Sequence, residues 1–146
     1  MDLMWEIRVR KLHPEAIIPT KGSDRAACWD IYSLYSYNLL IGEPTLVGTG
    51  LSIEVPEGYF LDLRPRSGLS SKGITILNSP GTIDSDYRGE LKVILINNSR
   101  YGYYKIGRGD RIAQIRLEKV YEIGWLEVVD LTPSIRGEEG FGSTGD

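Results

Sequence analysis

Short runs of alternating apolar and polar residues recur along the chain. Trp5, Ile7 and Val9 are interleaved with Glu6, Arg8 and Arg10, the period of two expected of a half-buried strand. Leu51-Ser52-Ile53-Glu54-Val55 repeats the pattern before Pro56. Tyr59-Phe60-Leu61-Asp62-Leu63-Arg64 follows Gly58, so residues 51–64 are expected to fold back as a hairpin about Pro56-Glu57-Gly58. Leu91, Val93, Ile94, Leu95 and Ile96 fill most of the run from Glu90 to Asn97 and predict a buried strand. Arg111 to Glu118 alternates again. Residues 23–41 hold neither Gly nor Pro, yet Trp29, Ile31, Tyr32, Tyr35 and Tyr37 favour strand over helix there. A short helical turn is expected from Ser67 to Lys72.

Seventeen glycines and seven prolines leave few places for a long helix. Many short strands with frequent turns predict a mostly β fold, a sandwich or a barrel. No repeat, low-complexity block or linker interrupts the chain before Thr132-Pro133. The expected layout is a single β domain over residues 1–132 and a polar, glycine-rich arm over 133–146.

Composition narrows the function. At 146 residues, 41% of them hydrophobic and 25% charged, the chain suits one ordinary compact domain. A net charge of −3 disfavours general coating of nucleic acid. No run approaches the roughly 18 apolar residues of a membrane span. The acidic start Met1-Asp2-Leu3-Met4-Trp5-Glu6 lacks the apolar stretch of a secretion signal, and a reducing, cytoplasmic setting is expected. Cys28 is the only cysteine and His13 the only histidine. One of each excludes an intrachain disulfide, a cysteine zinc site and a two-histidine metal motif. Cys28 is read as a small buried side chain and His13 as a surface or turn residue.

Five segments carry polar chemistry. The arm, Arg136-Gly137-Glu138-Glu139-Gly140-Phe141-Gly142-Ser143-Thr144-Gly145-Asp146, has no apolar period. Its glycines free backbone N–H groups for an anion, Arg136 offers a forked cation, and Phe141 could stack on a flat ring. Phosphate plus ring suggests a nucleotide. The same composition also suits a frayed terminus. In Pro65-Arg66-Ser67-Gly68-Leu69-Ser70, Ser67 is placed at the start of the helical turn, either beside an anion or as a plain N-cap. Gly81-Thr82-Ile83-Asp84-Ser85-Asp86-Tyr87-Arg88-Gly89-Glu90 sets charged groups and a tyrosine between glycines. A carboxylate there could orient and deprotonate water, or the segment could be a polar hairpin turn. Gly109-Asp110-Arg111-Ile112-Ala113-Gln114 is a turn entering a strand, with an amide for a phosphate oxygen or simply a salt-bridged Asp–Arg pair. In Ala26-Ala27-Cys28-Trp29-Asp30-Ile31, Asp30 stands among apolar residues and needs an arginine or backbone donors as partner.

Taken together and in this order, the five segments resemble the motifs of the homotrimeric deoxyuridine triphosphatase (dUTPase) family over nearly the whole chain. The resemblance implies a β jelly roll and hydrolysis of dUTP to dUMP and pyrophosphate with Mg2+, which keeps uracil out of DNA and supplies a thymidylate precursor. It also implies three active sites at subunit contacts, each closed by a flexible C-terminal arm; the charge and the lack of a long apolar run separately predict no nucleic-acid or membrane partner. Carried onto this chain, Asp84 would be the general base that orients water toward the α-phosphorus. Tyr87 would pack under the deoxyribose and exclude a 2′-hydroxyl. Asn78, on the strand leading into that hairpin, would pair with the uracil edge together with backbone near Ile83. Arg66, Ser67, Gly68 and Gln114 would hold phosphates. Arg136, Gly142, Ser143 and Thr144 would close on the γ end, with Phe141 over the uracil. Magnesium would be held by phosphate oxygens and water, with no direct protein ligand and Asp30 touching its shell at most indirectly.

Three positions depart from the family pattern. Cys28 stands where glycine is usual, Trp29 where tyrosine is common, and Glu139 where the arm usually has glycine. An acid beside a triphosphate would weaken closure unless it faces solvent or an arginine. Two kinds of relative share much of the pattern: dCTP deaminases or bifunctional deaminase–dUTPases, and dUTPase-like regulators that act through a protein partner. The complete arm and the lack of an inserted segment favour the hydrolase.

Overall fold

The computed structural model describes residues 6–143 and residue 145. Trp5, which opens the first predicted alternation, lies outside them. The described residues form eleven strands and one short helix: β1 Arg8–Lys11, β2 Trp29–Tyr32, β3 Tyr37–Leu39, β4 Thr45–Gly48, β5 Leu51–Glu54, β6 Tyr59–Arg64, α1 Ser67–Ser70, β7 Ile74–Ile76, β8 Gly81–Ile83, β9 Lys92–Asn97, β10 Tyr104–Ile106 and β11 Arg111–Lys119. They pair as β2-β11-β6-β8, β4-β9-β7, β1-β5 and β10-β3. No sheet closes on itself among these residues, so the architecture is the sandwich rather than the barrel.

One apolar cluster joins the sheets. It includes Ile31, Leu63, Ile74, Val93, Leu95 and Ile115. Burial of large aliphatic side chains contributes about 1.5–3 kcal/mol each and makes this cluster the main source of stability. Alternation does the sorting. Along β11, Ala113 and Ile115 are buried, while Gln114 and Arg116, which alternate with them, are partly exposed. The aromatic stretch 23–41 contains β2 and β3 and no helix, as its composition favoured.

Three local expectations need correction. The reversal at Pro56-Glu57-Gly58 exists, with the Tyr59 N–H donating to the Pro56 carbonyl at 3.1 Å. The flanking strands nevertheless do not pair. β5 is bonded to β1, and β6 lies between β11 and β8. Both edges of β6 are therefore occupied, and a turn can reverse the chain without making its two arms partners. Next, the run 90–97 is not buried on every side. Val93, Leu95 and Asn97 are buried, while Ile94 and Ile96 are partly exposed, because only one face of β9 meets the core. Asn97 is tolerated inside because its amide is satisfied. Its Nδ2 donates to the carbonyls of Leu39 (3.0 Å) and Gly102 (2.9 Å), and its Oδ1 accepts from the Ser99 N–H (2.9 Å). Finally, Ser67 is the first helical residue and not the cap. Arg66 holds the cap position in extended conformation, φ −97° and ψ 136°.

The last strand ends at Lys119. Every described residue from 120 to 143 except Gly140 is exposed. Several are large and apolar, including Trp125, Leu126, Val129 and Leu131.

Candidate active site

Sheet register assembles the first cluster. Gln114 on β11 stands opposite Asp30 on β2 and, on its other side, opposite Arg64 on β6. Opposed residues share a face, so Asp30, Gln114 and Arg64 form a row across three strands. Ile31, Ala113, Ile115 and Leu63 alternate with them and are buried in the core.

Side chains then tie the row to the loop entering α1. The Asp30 Oδ1 accepts from the Arg66 Nε at 3.0 Å. Its Oδ2 lies 3.7 Å from the Arg111 Nη1. Asp30 is the buried acid with arginine partners that its apolar flanks demanded. Its carboxylate is committed to these two cations, which fixes Arg66 where α1 begins. The Gln114 Nε2 donates to the Pro65 carbonyl at 2.9 Å, holding the same loop from β11. Residues from the first, second and fourth segments thus meet at one end of β6. The suggested Asp110–Arg111 pair is absent from this arrangement. The Asp110 carboxylate instead accepts from the Gly107 N–H at 2.7 Å, closing its own turn, while Arg111 turns to Asp30. A four-residue turn holds that acceptor within reach, and local closure wins over the neighbouring charge.

A second charged group adjoins this cluster and was not foreseen from the sequence. Asp62, its side chain 8% exposed, accepts from the Arg64 Nε at 2.6 Å. It also accepts from the Arg116 Nε at 3.3 Å, and Glu118 pairs with Arg116 at 2.6 Å. The hydrogen bond from Arg64 to Asp62, with the charge of that carboxylate, raises the pKa of the Arg64 guanidinium above its ordinary value. An acid inside the apolar run Phe60 to Leu63 was the available signal, but its partners depend on register across β11.

The third segment sits elsewhere. On β8, Gly81 stands beside Leu63 and Ile83 beside Leu61. Asp84 follows Ile83, away from Arg64. The three positions separating Leu61 from Arg64 span about 10 Å at the rise of a strand. Asp84 closes a turn in which its carbonyl accepts from the Tyr87 N–H at 3.2 Å. The Tyr87 hydroxyl donates to the Glu90 carbonyl at 2.8 Å, and its exposed ring lies over Gly89. Asn78 lies in the turn after β7 rather than on a strand. Its amide covers Gly81, where an added Cβ would stand 3.6 Å from the Asn78 Nδ2. β8 and β9 are not a two-stranded hairpin either: β8 bonds to β6, and β9 lies between β4 and β7.

The described arm residues are bonded mainly to one another. The Arg136 Nε donates to the Glu139 carbonyl at 2.6 Å, and the Ser143 N–H to the Gly140 carbonyl at 3.0 Å. Phe141 is fully exposed with φ 53°, and Gly142 follows at φ 84°. Thr144 lies outside the described residues. Within one chain, the predicted site residues therefore fall into three groups: Arg66, Ser67, Gly68 and Gln114; then Asn78, Ile83, Asp84 and Tyr87; then Arg136, Phe141, Gly142 and Ser143.

A family model for dUTPase matches residues 14–145. The chain belongs to the dUTPase family. It is similar to the deoxyuridine 5′-triphosphate nucleotidohydrolase of Wolinella succinogenes, 49% identical over 141 residues, with 96% of this chain and 94% of that protein covered. The protein of the same name from Helicobacter hepaticus is 47% identical over 140 residues, covering 95% and 88%. Among solved structures, the dUTPase of Staphylococcus bacteriophage 80alpha with dUPNHPP superposes with a TM-score of 0.88 at 28% identity, covering 97% of this chain and 99% of that one. A mutant dUTPase from phage phi11 of S. aureus, whose structure shows the coordination of a structural Mg(II) ion, gives 0.78 at 27% identity, covering 86% and 97%. The dUTPase sandwich of this chain contains no helix long and apolar enough to cross a membrane among the described residues. Those residues gather no group of three or more His, Cys, Asp or Glu side chains as a metal site.

Proposed function

We propose that this chain hydrolyses dUTP to dUMP and pyrophosphate by attack of water on the α-phosphorus. The observation that carries this reading is the convergence of Arg66, Gln114 and Asp30 at one end of β6, in a chain whose family match spans residues 14–145. Arg66, oriented by Asp30, and Ser67 and Gly68 at the start of α1 bind phosphate oxygens, with Gln114 holding their loop. Asp84 takes a proton from the attacking water as the phosphorus–oxygen bond to pyrophosphate breaks. Asn78 and backbone near Ile83 read the uracil edge. Tyr87 lies under the deoxyribose. Residues 133–146 act as the closing arm: Phe141 covers the base, while Arg136, Gly142, Ser143 and Thr144 reach the terminal phosphates. The work is mostly positioning and charge neutralisation.

Magnesium fits this residue set as an ion carried by the triphosphate and water. The described residues gather no carboxylate trio, and Asp30 is committed to Arg66 and Arg111. Bound that way, it would supply neutralisation of phosphate charge.

The active unit in this reading is a homotrimer with sites between copies. Two features support it. Among the described residues no hydrogen bond or ion pair joins the three residue groups within one chain, as suits sites completed by neighbouring copies. The strap from Tyr121 to Leu131 also leaves Trp125, Leu126, Val129 and Leu131 at least 85% exposed, an apolar surface that a second copy would cover. The reaction belongs with the cytoplasmic nucleotide pool, where it withholds dUTP from DNA synthesis and supplies dUMP.

The test is pyrophosphate release from dUTP, dTTP, dCTP and UTP with magnesium. Turnover confined to dUTP is expected. Ammonia release from dCTP would instead indicate a deaminase, and no turnover of dUTP would overturn the reading. Selection against UTP gives a sharper prediction. A Cβ on Gly89 would approach the Tyr87 Oη to 2.5 Å and its Cζ to 2.7 Å. Gly89→Ala must therefore displace the Tyr87 ring. The ratio of kcat/KM for dUTP over UTP is expected to fall by about tenfold or more, as when a close sugar contact is lost. An unchanged ratio would remove Tyr87 from that role.

A further inference from the structure

Arg64 is a cation without an assigned task. Register places it beside Gln114, one strand from Asp30, in the row that orients the phosphate-binding loop. It precedes Pro65, whose carbonyl Gln114 holds, and stands two positions before Arg66. Its side chain is 45% exposed, while the carboxylate that anchors it is 8% exposed. Asp62 engages only its Nε, at 2.6 Å. A guanidinium has five N–H donors in a fixed fork. Among the described residues, no acceptor is bonded to the Nη groups of Arg64, whereas Arg88 uses its Nη1 on two carbonyls. Arg116 is different again, because its Nε is shared between Asp62 and Glu118. A buried acid that grips an arginine by its inner edge leaves the outer edge oriented and available for an anion.

We propose that Arg64, positioned by Asp62, is a further polyphosphate-binding residue of this site and contacts the part of dUTP that leaves as pyrophosphate. This rests on the dUTP hydrolysis read above. Two arginines spaced by one proline flank Gln114: Arg66 is held toward Asp30 on β2 and Arg64 toward Asp62 on β6. Arg66 is neutralised in part by Asp30, which also faces Arg111, while Asp62 is shared between Arg64 and Arg116. The Asp30 group, with Arg66 and Arg111, carries a net positive charge, whereas Glu118 balances the Asp62 group, which offers a polyanion the unbonded Nη edge of Arg64. Asp62 is a positioning residue, since it acts only through Arg64.

The experiment compares wild type, Arg64→Met, Arg64→Lys and Asp62→Asn with dUTP as substrate and with inorganic pyrophosphate and dUMP as inhibitors. Arg64→Met is expected to raise the KM for dUTP and the inhibition constant of pyrophosphate by about tenfold or more, the usual effect of losing a hydrogen bond between charged groups. Inhibition by dUMP should change less than about twofold, because dUMP lacks the leaving group. Arg64→Lys should restore part of the pyrophosphate affinity, since it keeps the charge but loses the fork. Asp62→Asn should give a smaller rise for pyrophosphate and none for dUMP. Thermal unfolding of each variant separates this from a structural role. A lowered Tm with unchanged pyrophosphate inhibition in Arg64→Met overturns the proposal, as does equal loss of pyrophosphate and dUMP inhibition. A wild-type protein inactive on dUTP would remove the underlying reading as well, and is recognised before any variant is compared.

Discussion

Asp84→Asn is expected to bind dUTP almost as tightly as wild type and to lose turnover by at least about 10²–10⁴-fold, the range of a general base. The substitution keeps the side-chain shape and removes the charge that accepts a proton. The surrounding turn does not depend on that carboxylate. It is closed by the main-chain bond from the Tyr87 N–H to the Asp84 carbonyl, and by the Tyr87 hydroxyl on the Glu90 carbonyl. Asp84 is itself exposed, so no buried partner is orphaned by the change. Binding of dUPNHPP by calorimetry and single-turnover hydrolysis of dUTP measure the two properties separately. Wild-type turnover in the variant would strip Asp84 of its role. Loss of binding together with turnover would make it a contact residue instead.

Truncation after Pro133 should leave a folded body with kcat/KM for dUTP lowered by about 10²–10³-fold. The core supports the first half of this expectation, since its apolar cluster has no member beyond Leu117. The described arm residues hold mainly short-range bonds of their own, such as Arg136 to Glu139 and Ser143 to Gly140. Removing them uncovers no core. The loss in activity follows from two contacts the arm would make. One is a charged hydrogen bond from Arg136 to phosphate, typically about 1.5–3 kcal/mol. The other is stacking of Phe141 on the base, about 1–3 kcal/mol by analogy with base–aromatic stacking. These do not add fully, and about 10²–10³ is what remains. Thermal melts and sedimentation report the fold and assembly, and steady-state kinetics the activity. A truncated protein that unfolds would make the arm structural. Full activity without it would remove the lid. Glu139 is exposed, the orientation in which its charge need not oppose closure over a triphosphate.

The local character of the chain could be read directly. Alternation of Ile53 with Ser52 and Glu54, or of Ala113 and Ile115 with Gln114, set strand positions and the face that would be buried. Gly58 and Pro56 marked a reversal. The residue types of the five segments named a phosphate-and-ring chemistry, and Asp30 among apolar neighbours announced a need for arginine. Each of these rests on interactions within a few residues, where spacing alone decides the outcome.

Pairing could not be read in that way, because a strand offers two edges and many distant segments compete for them. The turn at Pro56-Glu57-Gly58 pointed to β5 and β6 as partners, yet β6 is saturated by β11 and β8, and β5 bonds to β1. The charged contacts follow from that outcome. Arg66 reaches Asp30 across 36 residues and Arg116 reaches Asp62 across 54, separations that only sheet register can close. Sequence by itself fixed which residues would be strand, turn, acid and cation. Tertiary structure alone decided that Asp30 would hold Arg66, that Asp62 would hold Arg64, and that Asp84 would follow β8 past Leu61, away from the Arg64 end of β6, because neighbours across a sheet are chosen by the whole set of available edges.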